Sequence, residues 1–96
     1  MKKLKILHAN GGCGIDQNGI FGLDLVELDA SLNNKVTNVS FMRNLKKLYA
    51  YCSCGIDQNG INGLDLVELY VIGNNKITDI LFMKNLKKIK IETTTQ

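Results

Sequence analysis

Apolar residues recur along the chain at intervals that fit the template L-x-x-L-x-L-x-x-N, where x is any residue. Five frames of this template begin at Met1, Leu25, Leu45, Leu66 and Leu86, with spacings of 24, 20, 21 and 20 residues. The middle of each frame alternates polar and apolar residues with a period of two, which predicts a short strand. The apolar residues of one frame cannot be buried within one short segment, so the pattern predicts consecutive segments stacked on one another.

We call each segment a unit and number its positions from the start of its frame. The fourth position is occupied by Leu4, Leu28, Leu48, Leu69 and Ile89, the sixth by Ile6, Ala30, Ala50, Val71 and Ile91, and the ninth by Ala9, Asn33, Ser53, Asn74 and Thr94. This alignment requires three extra residues in the first unit, within the sequence HANGG. An asparagine at the ninth position is expected to turn inward. Asn33 and Asn74 are therefore predicted to hydrogen-bond backbone groups of adjacent units.

The octet CGIDQNGI stands at residues 13–20 and again at 54–61, which defines an outer period of 41 residues. In this alignment the octet follows the strand and lies on the opposite side of the unit. Asp16 and Asp57 are expected to accept hydrogen bonds from nearby backbone N–H groups, as Asx residues in turns commonly do. The Asn-Gly dipeptide of each copy is expected to form a turn that tolerates a positive φ. The duplication therefore predicts a repeated piece of chain geometry rather than a reactive site.

The five register-matched frames resemble the leucine-rich repeat family over the whole chain. Units such as NNKITDILFMKNLKKI are similar to the short internalin-like class of these repeats. The resemblance implies an α/β-type, right-handed solenoid with a parallel five-stranded sheet on its concave side and loops or short helices on its convex side. It implies a single domain, residues 1–96, with coils starting near residues 1, 25, 45, 66 and 86. The alternation with CGIDQNGINGL is similar to repeats in leucine-rich proteins of giant viruses (mimivirus-like), which would place the protein in the host cytoplasm.

Composition and charge narrow the range of functions. The chain is 45% hydrophobic and 22% charged, with a net charge of +3 at pH 7, short of the dense basic clustering of a dedicated nucleic-acid binder. No apolar run approaches the roughly 18 residues that a membrane-spanning helix needs. The basic start MKKLKIL is repeated inside the chain as LKKLYA and LKKIKI, so it is interpreted as part of the repeat and the protein as cytoplasmic. We therefore expect no nucleic acid and no membrane among its partners.

The residues that could carry chemistry form no recognisable catalytic or metal-binding motif. The three cysteines, Cys13, Cys52 and Cys54, are an odd number. Cys13 and Cys54 occupy equivalent sites two units apart, roughly 10 Å at the spacing of parallel strands, which is too far for a disulfide. Residues 16–19 lack the alternating oxygen ligands of an EF-hand loop, and His8, the only histidine, belongs to no catalytic motif. We expect three free thiols, no cofactor, no metal ion and no enzymatic activity.

Side chains at the third, fifth and seventh positions are expected to point away from the core. The third position runs Lys3, Glu27, Lys47, Glu68 and Lys88, the fifth Lys5, Asp29, Tyr49, Tyr70 and Lys90, and the seventh Leu7, Ser31, Tyr51, Ile72 and Glu92. Opposite charges on neighbouring strands predict a ladder of exposed ion pairs at the third position. The other two columns bring all three tyrosines of the chain to one face, beside Ile72.

Exposed aromatic residues on a rigid sheet are typical anchors of protein interfaces. Together with the resemblance, they predict a non-catalytic module that binds a protein partner through its concave sheet. The candidate contact residues are Tyr49, Tyr51, Tyr70, Ile72, Asp29 and Lys5. Two alternatives stay open: tyrosines also simply suit strands, and the chain is alternatively a structural fragment of a longer array without a dedicated partner. The open apolar core and strand edges of the first and last units also predict end-to-end self-association.

Overall fold

Within the described residues, five short strands form one parallel sheet, in the order in which they occur along the chain. The computed structural model describes residues 4–12, 14–52, 54–80 and 82–90. The strands are β1 (Ile6–His8), β2 (Glu27–Asp29), β3 (Lys47–Tyr49), β4 (Glu68–Tyr70) and β5 (Lys88–Lys90). One helical turn, α1 (Gln17–Ile20), follows β1, and one 3₁₀ turn, η1 (Asn59–Ile61), follows β3. The predicted five-stranded parallel sheet is confirmed, and one strand per unit is compatible with a repeat solenoid.

The register of the sheet follows the apolar template from β2 to β4. Leu28, Leu48 and Leu69 lie side by side in the middle of their strands and are completely buried. The residues that flank them in β2 and β3 are only half-buried, because alternate side chains of a strand point to opposite faces of the sheet. The core therefore lies behind one face of the sheet. The other face, which we call the outer face, carries polar and aromatic side chains.

The first unit does not follow the frame that begins at Met1. β1 pairs Ile6 with Glu27, Leu7 with Leu28 and His8 with Asp29. Leu7 therefore takes the fourth position, and Ala9, which is completely buried, takes the sixth. Leu4 and Ile6, which the Met1 frame places in the core, are 45% and 51% exposed. The first frame starts at Leu4, so the predicted start near residue 1 and the three extra residues in HANGG are wrong.

The eighth position of each of the first four units has a left-handed backbone. The φ angle is 65° at Gly11, 63° at Leu32, 57° at Cys52 and 79° at Gly73. Recurrence of one conformation at one position means that the same turn ends the strand in each of these units. Leu32 and Cys52 are not glycines, so the left-handed conformation costs each of them about 1–2 kcal/mol of free energy.

Two buried asparagines at the ninth position bind backbone groups of the preceding unit. The Asn74 Nδ2 group donates to the carbonyl oxygens of Ala50 at 3.0 Å and Ile56 at 3.1 Å. Its Oδ1 atom accepts a hydrogen bond from the backbone N–H of Lys76 at 3.0 Å. Asn33 donates in the same way to two carbonyl oxygens of the first unit, at 2.6 and 3.0 Å. These side chains satisfy backbone groups that would otherwise lose their hydrogen bonds to water.

The aspartates of the two octets close short helical turns. Asp16 Oδ1 accepts a hydrogen bond from the N–H of Gly19 at 3.0 Å and caps α1, and Asp57 Oδ1 accepts one from Gly60 at 2.9 Å. Neither glycine has a positive φ, so that expectation for the Asn-Gly dipeptides is wrong. Both glycines lie in helical turns, which an aspartate at this spacing favours. Gly60 is needed for another reason, because the Thr37 carbonyl oxygen of the preceding unit lies directly against it.

Gln17 and Gln58 connect each octet to the following unit, a role that the sequence interpretation did not assign. Gln58 Nε2 donates to the carbonyl oxygen of Asp79 at 2.6 Å, and Gln58 Oε1 accepts from the N–H groups of Thr78 and Asp79, both at 2.8 Å. Gln17 makes the same three bonds to residues 37–38, at 2.7, 2.8 and 2.9 Å. Each octet is therefore hydrogen-bonded through its glutamine to the unit that follows it.

Candidate binding face of the sheet

The outer face is formed by side chains at the third, fifth and seventh positions. In the observed register these are Ile6, Glu27, Lys47, Glu68 and Lys88 at the third position, His8, Asp29, Tyr49 and Tyr70 at the fifth, and Asn10, Ser31, Tyr51 and Ile72 at the seventh. Lys3 and Glu92, assigned to this face from the sequence, lie outside the described residues. Leu7, assigned to it as well, packs against the core instead.

Three side chains at the third position form one row of ion pairs. Lys47 Nζ lies 3.8 Å from Glu27 Oε1 and 3.6 Å from Glu68 Oε1. These two pairs follow the alternation of charge from β2 to β4. Because all three side chains are partly exposed, each pair contributes only on the order of 0.2–1 kcal/mol. Lys88, at the third position of β5, adds a second positive charge beside Glu68, so the described charges of the third position are balanced.

The three tyrosines are brought together on β3 and β4 and just beyond. The rings of Tyr49 and Tyr70 are stacked, with their centroids 4.5 Å apart and an interplanar angle of 8°. The ring of Tyr51 meets that of Tyr49 edge to face, at 6.2 Å and 89°. Tyr70 is only 9% exposed, whereas Tyr49 and Tyr51 are half-buried and Ile72 is 39% exposed. The accessible part of this cluster is therefore formed by Tyr49, Tyr51 and Ile72.

Tyr70 is tied to the sheet by a short hydrogen bond. Its hydroxyl group donates to Glu68 Oε1 at 2.6 Å. This bond raises the pKa of the Tyr70 hydroxyl to about 12, and it lowers the pKa of the Glu68 carboxyl, with Lys47 and Lys88 adding to the lowering. The Tyr70 hydroxyl therefore stays protonated, and keeps its hydrogen bond to Glu68, well above neutral pH. The ring of Tyr70 packs against the neighbouring ring of Tyr49.

Asp29 and Lys5 do not share one column, as the sequence interpretation had them. Asp29 lies in register with Tyr49 on β3, and its Oδ1 atom accepts a hydrogen bond from the N–H of Ser31 at 3.1 Å. His8 takes the place beside Asp29 that was assigned to Lys5. Lys5 precedes β1, and its carbonyl oxygen accepts from two N–H groups at the start of the next strand, at 2.8 and 3.1 Å. The assignment of Lys5 to the tyrosine column is therefore wrong, because the first frame starts three residues later.

Other kinds of site have no geometric support in the described part of the chain. Among those residues, no group of three or more histidine, cysteine, aspartate or glutamate side chains could hold a metal ion. Within the same ranges, no helix has the length and apolar character needed to cross a membrane. Comparison of the chain with protein-family models, with curated proteins and with solved structures gives no match. A functional proposal therefore rests on the sequence pattern and on the geometry of the outer face.

The two described cysteines differ in exposure. Cys52 is exposed, whereas Cys54 is completely buried and its Sγ atom accepts a hydrogen bond from the N–H of Ile56 at 3.4 Å. Both are free thiols, and burial raises the pKa of the Cys54 thiol. Cys13 lies outside the described residues, so its free thiol and its separation from Cys54 stay predictions.

We expect iodoacetamide to label Cys52 in the native protein and to leave Cys54 unmodified. The thiolate is the reactive form of cysteine, and burial both shields Cys54 and disfavours its thiolate. Mass spectrometry of proteolytic peptides measures the two sites separately. Unfolding in guanidinium chloride is the control, in which both residues should react. Equal labelling of both residues in the native protein would contradict the burial of Cys54.

Proposed function

We propose that this protein is a leucine-rich repeat solenoid, a single domain, that binds a protein partner through the outer face of its sheet. The sequential parallel sheet supports this class, because each unit contributes one strand in the register of the leucine template. Stacked units of this kind bury their leucines against their neighbours and leave one long face of the sheet for contacts. The proposed activity is binding alone, in the cytoplasm, without catalysis, cofactor or nucleic acid.

The observation that carries the proposal is the set of partly exposed apolar side chains, Tyr49, Tyr51 and Ile72, that the sheet brings to one face. Tyr49 is held between the ring of Tyr70 and the edge contact with Tyr51, so its orientation is fixed before any partner arrives. Preorganised aromatic side chains bind with a small loss of conformational entropy, which is why they dominate interface energetics. The ion-paired row at the third position lies beside the cluster and would form the polar rim of an interface.

One observation favours the alternative, that the face is structural. Tyr70 is buried and hydrogen-bonded to Glu68, and Tyr49 covers its ring. These two rings therefore contribute to the stability of the sheet whether or not a partner exists. Variants of Tyr51 and Ile72 can distinguish partner binding from a purely structural role. These two side chains are more exposed than Tyr70 and make no side-chain hydrogen bond among the described residues.

Replacement of Tyr51 and Ile72 together by alanine is expected to weaken partner capture strongly and to leave the melting temperature nearly unchanged. Both side chains lie on the outer face, where truncation removes contact area without opening the core. Immobilised protein would be incubated with cell extract, and captured proteins would be compared between wild type and variant by quantitative mass spectrometry. For a partner captured by the wild type, the dissociation constant should rise by about 30-fold, the effect of one strong hot spot.

Asn62→Ala provides the matched control, because Asn62 is exposed and follows η1, away from the strands. The control should capture the same proteins as the wild type. Equal capture by the wild type, the double variant and Asn62→Ala would overturn the proposed function. If Tyr70→Phe then lowered the melting temperature while capture stayed equal, the structural alternative would be supported.

A further inference from the structure

The two faces of the Tyr49 ring have different surroundings. In the register of the sheet, Tyr49 has Tyr70 of β4 on one side and Asp29 of β2 on the other. The stacked ring of Tyr70 covers the first face at a centroid distance of 4.5 Å, close to the spacing of neighbouring strands. Since the two rings are nearly parallel, the second face of Tyr49 is directed towards β2, where Asp29 lies.

The short side chains of Asp29 and Ser31 lie beside the larger rings of Tyr49 and Tyr51, and this difference in size produces a step in the outer face. Tyr51 stands at one end of the step, edge to face with Tyr49. Its neighbour on the β2 side is Ser31, which is buried and accepts a hydrogen bond from the Tyr51 N–H at 3.0 Å. We call this feature the Asp29 step and define it by Asp29, Ser31, Tyr49 and Tyr51. Its chemistry is one aromatic face, one aromatic ring at the end and one carboxylate.

The carboxylate of the Asp29 step has no cationic partner within the described residues. Its Oδ1 atom accepts the N–H of Ser31, and no lysine or arginine of the described chain forms an ion pair with it. The one ammonium group nearby, Lys47, is already shared by Glu27 and Glu68. From β2 to β5 the described side chains of the outer face hold three carboxylates and two ammonium groups, Lys47 and Lys88, and Asp29 is the carboxylate without an ion pair or a neighbouring ammonium group. A cationic ligand would give Asp29 the ion pair that it lacks within the described chain.

We infer that the Asp29 step binds an arginine side chain of the protein partner, an inference that rests on the proposed function. The planar guanidinium group stacks on the second face of Tyr49, the face directed towards β2, and donates to the carboxylate of Asp29. Arginine fits this arrangement better than lysine, because a planar, delocalised cation can stack on a ring and point its N–H groups at a carboxylate simultaneously. Tyr51 closes the end of the step and restricts the direction from which the side chain enters.

The test uses the blocked tripeptide acetyl-Gly-Arg-Gly-amide as the probe and NMR spectra of protein labelled with ¹³C in its tyrosine rings. The probe is expected to shift the signals of Tyr49 and Tyr51 in a saturable manner at millimolar concentration. The same peptide with citrulline, a neutral isostere of arginine, should give no saturable shift. No saturation with the arginine peptide, or equal shifts with citrulline, would overturn the inference.

Asp29→Asn is the matching variant of the protein, because an asparagine still offers an oxygen to the N–H of Ser31. It is expected to weaken binding of the arginine peptide by about fivefold, since charge pairing and the ordered cation are lost together. Asp24→Asn is the control, an exposed carboxylate that accepts from Asn44 and lies outside the outer face. Unchanged affinity in Asp29→Asn would overturn the inference.

The tripeptide and the partner capture give separate outcomes. Absence of arginine binding, with capture still weakened in the Tyr51 and Ile72 double variant, would overturn the Asp29 step and leave the proposed function standing. Weaker binding of the arginine peptide by Asp29→Asn, together with weaker capture of the partner by that variant, supports both.

Discussion

Replacing Gly60 with alanine is expected to lower the free energy of unfolding by about 3 kcal/mol, the cost of forcing an extra methyl group into a packed contact. A Cβ atom at Gly60 would lie against the carbonyl oxygen of Thr37 in the preceding unit and 3.3 Å from Ile56 Cγ2. The carbonyl group belongs to the backbone and cannot rotate away. Moving the whole turn would break the hydrogen bond that Gly60 accepts from the N–H of Val39 at 2.9 Å.

The duplicated octet supplies the control for this change. Gly19 holds the same position in an identical sequence, but a Cβ atom there would meet only Ile15 Cγ2 at 3.5 Å and Asp16 Oδ1 at 3.6 Å. These are ordinary van der Waals distances. Alanine also favours a helical turn over glycine by up to about 1 kcal/mol, so Gly19→Ala should leave stability unchanged or raise it slightly.

Urea denaturation followed by circular dichroism measures both variants under one set of conditions. A large difference between them locates the constraint in the contact between units, because the octets themselves are the same. Equal losses would mean that the conformation of the turn alone restricts this position. That result would contradict the packing of Gly60 against Thr37.

The strands and their register were predictable because leucine spacing leaves few alternatives. Leu28, Leu48 and Leu69 can be buried together only if their units are stacked without a shift, since a shift of one residue would turn them to the outer face. Parallel pairing then follows from the long connection between consecutive strands. For β2 to β4 the apolar pattern was sufficient.

The first unit shows where the pattern was ambiguous. In MKKLKILHA the spacing of the template is satisfied by a frame at Met1, with Leu4 in fourth place, and it is approached by a frame at Leu4, with Leu7 there. The outer period would have resolved this, because a shift of 41 residues maps Leu7 on Leu48 and Ala9 on Ala50. In the observed register an alanine lies at the buried sixth position in each of the first three units.

The hydrogen bonds that Gln17 and Gln58 make to the following unit could not be predicted from the apolar template. Apart from a bond from the Thr37 hydroxyl to Gln17 Oε1 at 3.3 Å, their hydrogen bonds join backbone groups of the following unit, which every residue type offers there except that proline lacks the N–H. The one signal in the sequence was that both copies of the octet keep glutamine at this place. A polar residue that is repeated in both octets and has no catalytic or metal-binding role indicates a structural contact, here between units.

The candidate binding face was predictable in its location and not in its internal packing. Alternation along the strands placed the three tyrosines on one face. The stacking of Tyr70 under Tyr49, and its bond to Glu68, depend on side-chain rotamers and on neighbours across the sheet. Spacing along the sequence contains no information about these. The prediction therefore treated Tyr70 as an exposed anchor, whereas it is a buried support for one.

Replacing Asn74 with alanine is expected to lower the free energy of unfolding by about 3 kcal/mol, since three backbone groups lose a partner at once. The carbonyl oxygens of Ala50 and Ile56 and the N–H of Lys76 are bound by this one side chain. Asn74→Asp keeps the shape and the acceptor but turns an oxygen atom towards two carbonyl oxygens. It should therefore be destabilising at neutral pH by at least as much as alanine.

Asn75→Ala is the matched control, because Asn75 is the next residue and its side chain is exposed. Its effect should stay within about 0.5 kcal/mol, as is usual for surface positions. Urea denaturation of the three variants, with the slope of the transition unchanged, compares their stabilities directly. A loss of about 3 kcal/mol is large beside the 5–15 kcal/mol that holds a typical domain together, so the difference between Asn74 and Asn75 should be unmistakable. Equal stability of Asn74→Ala and Asn75→Ala would mean that the buried amide contributes nothing to the contact between units, and that the leucines alone hold them in register.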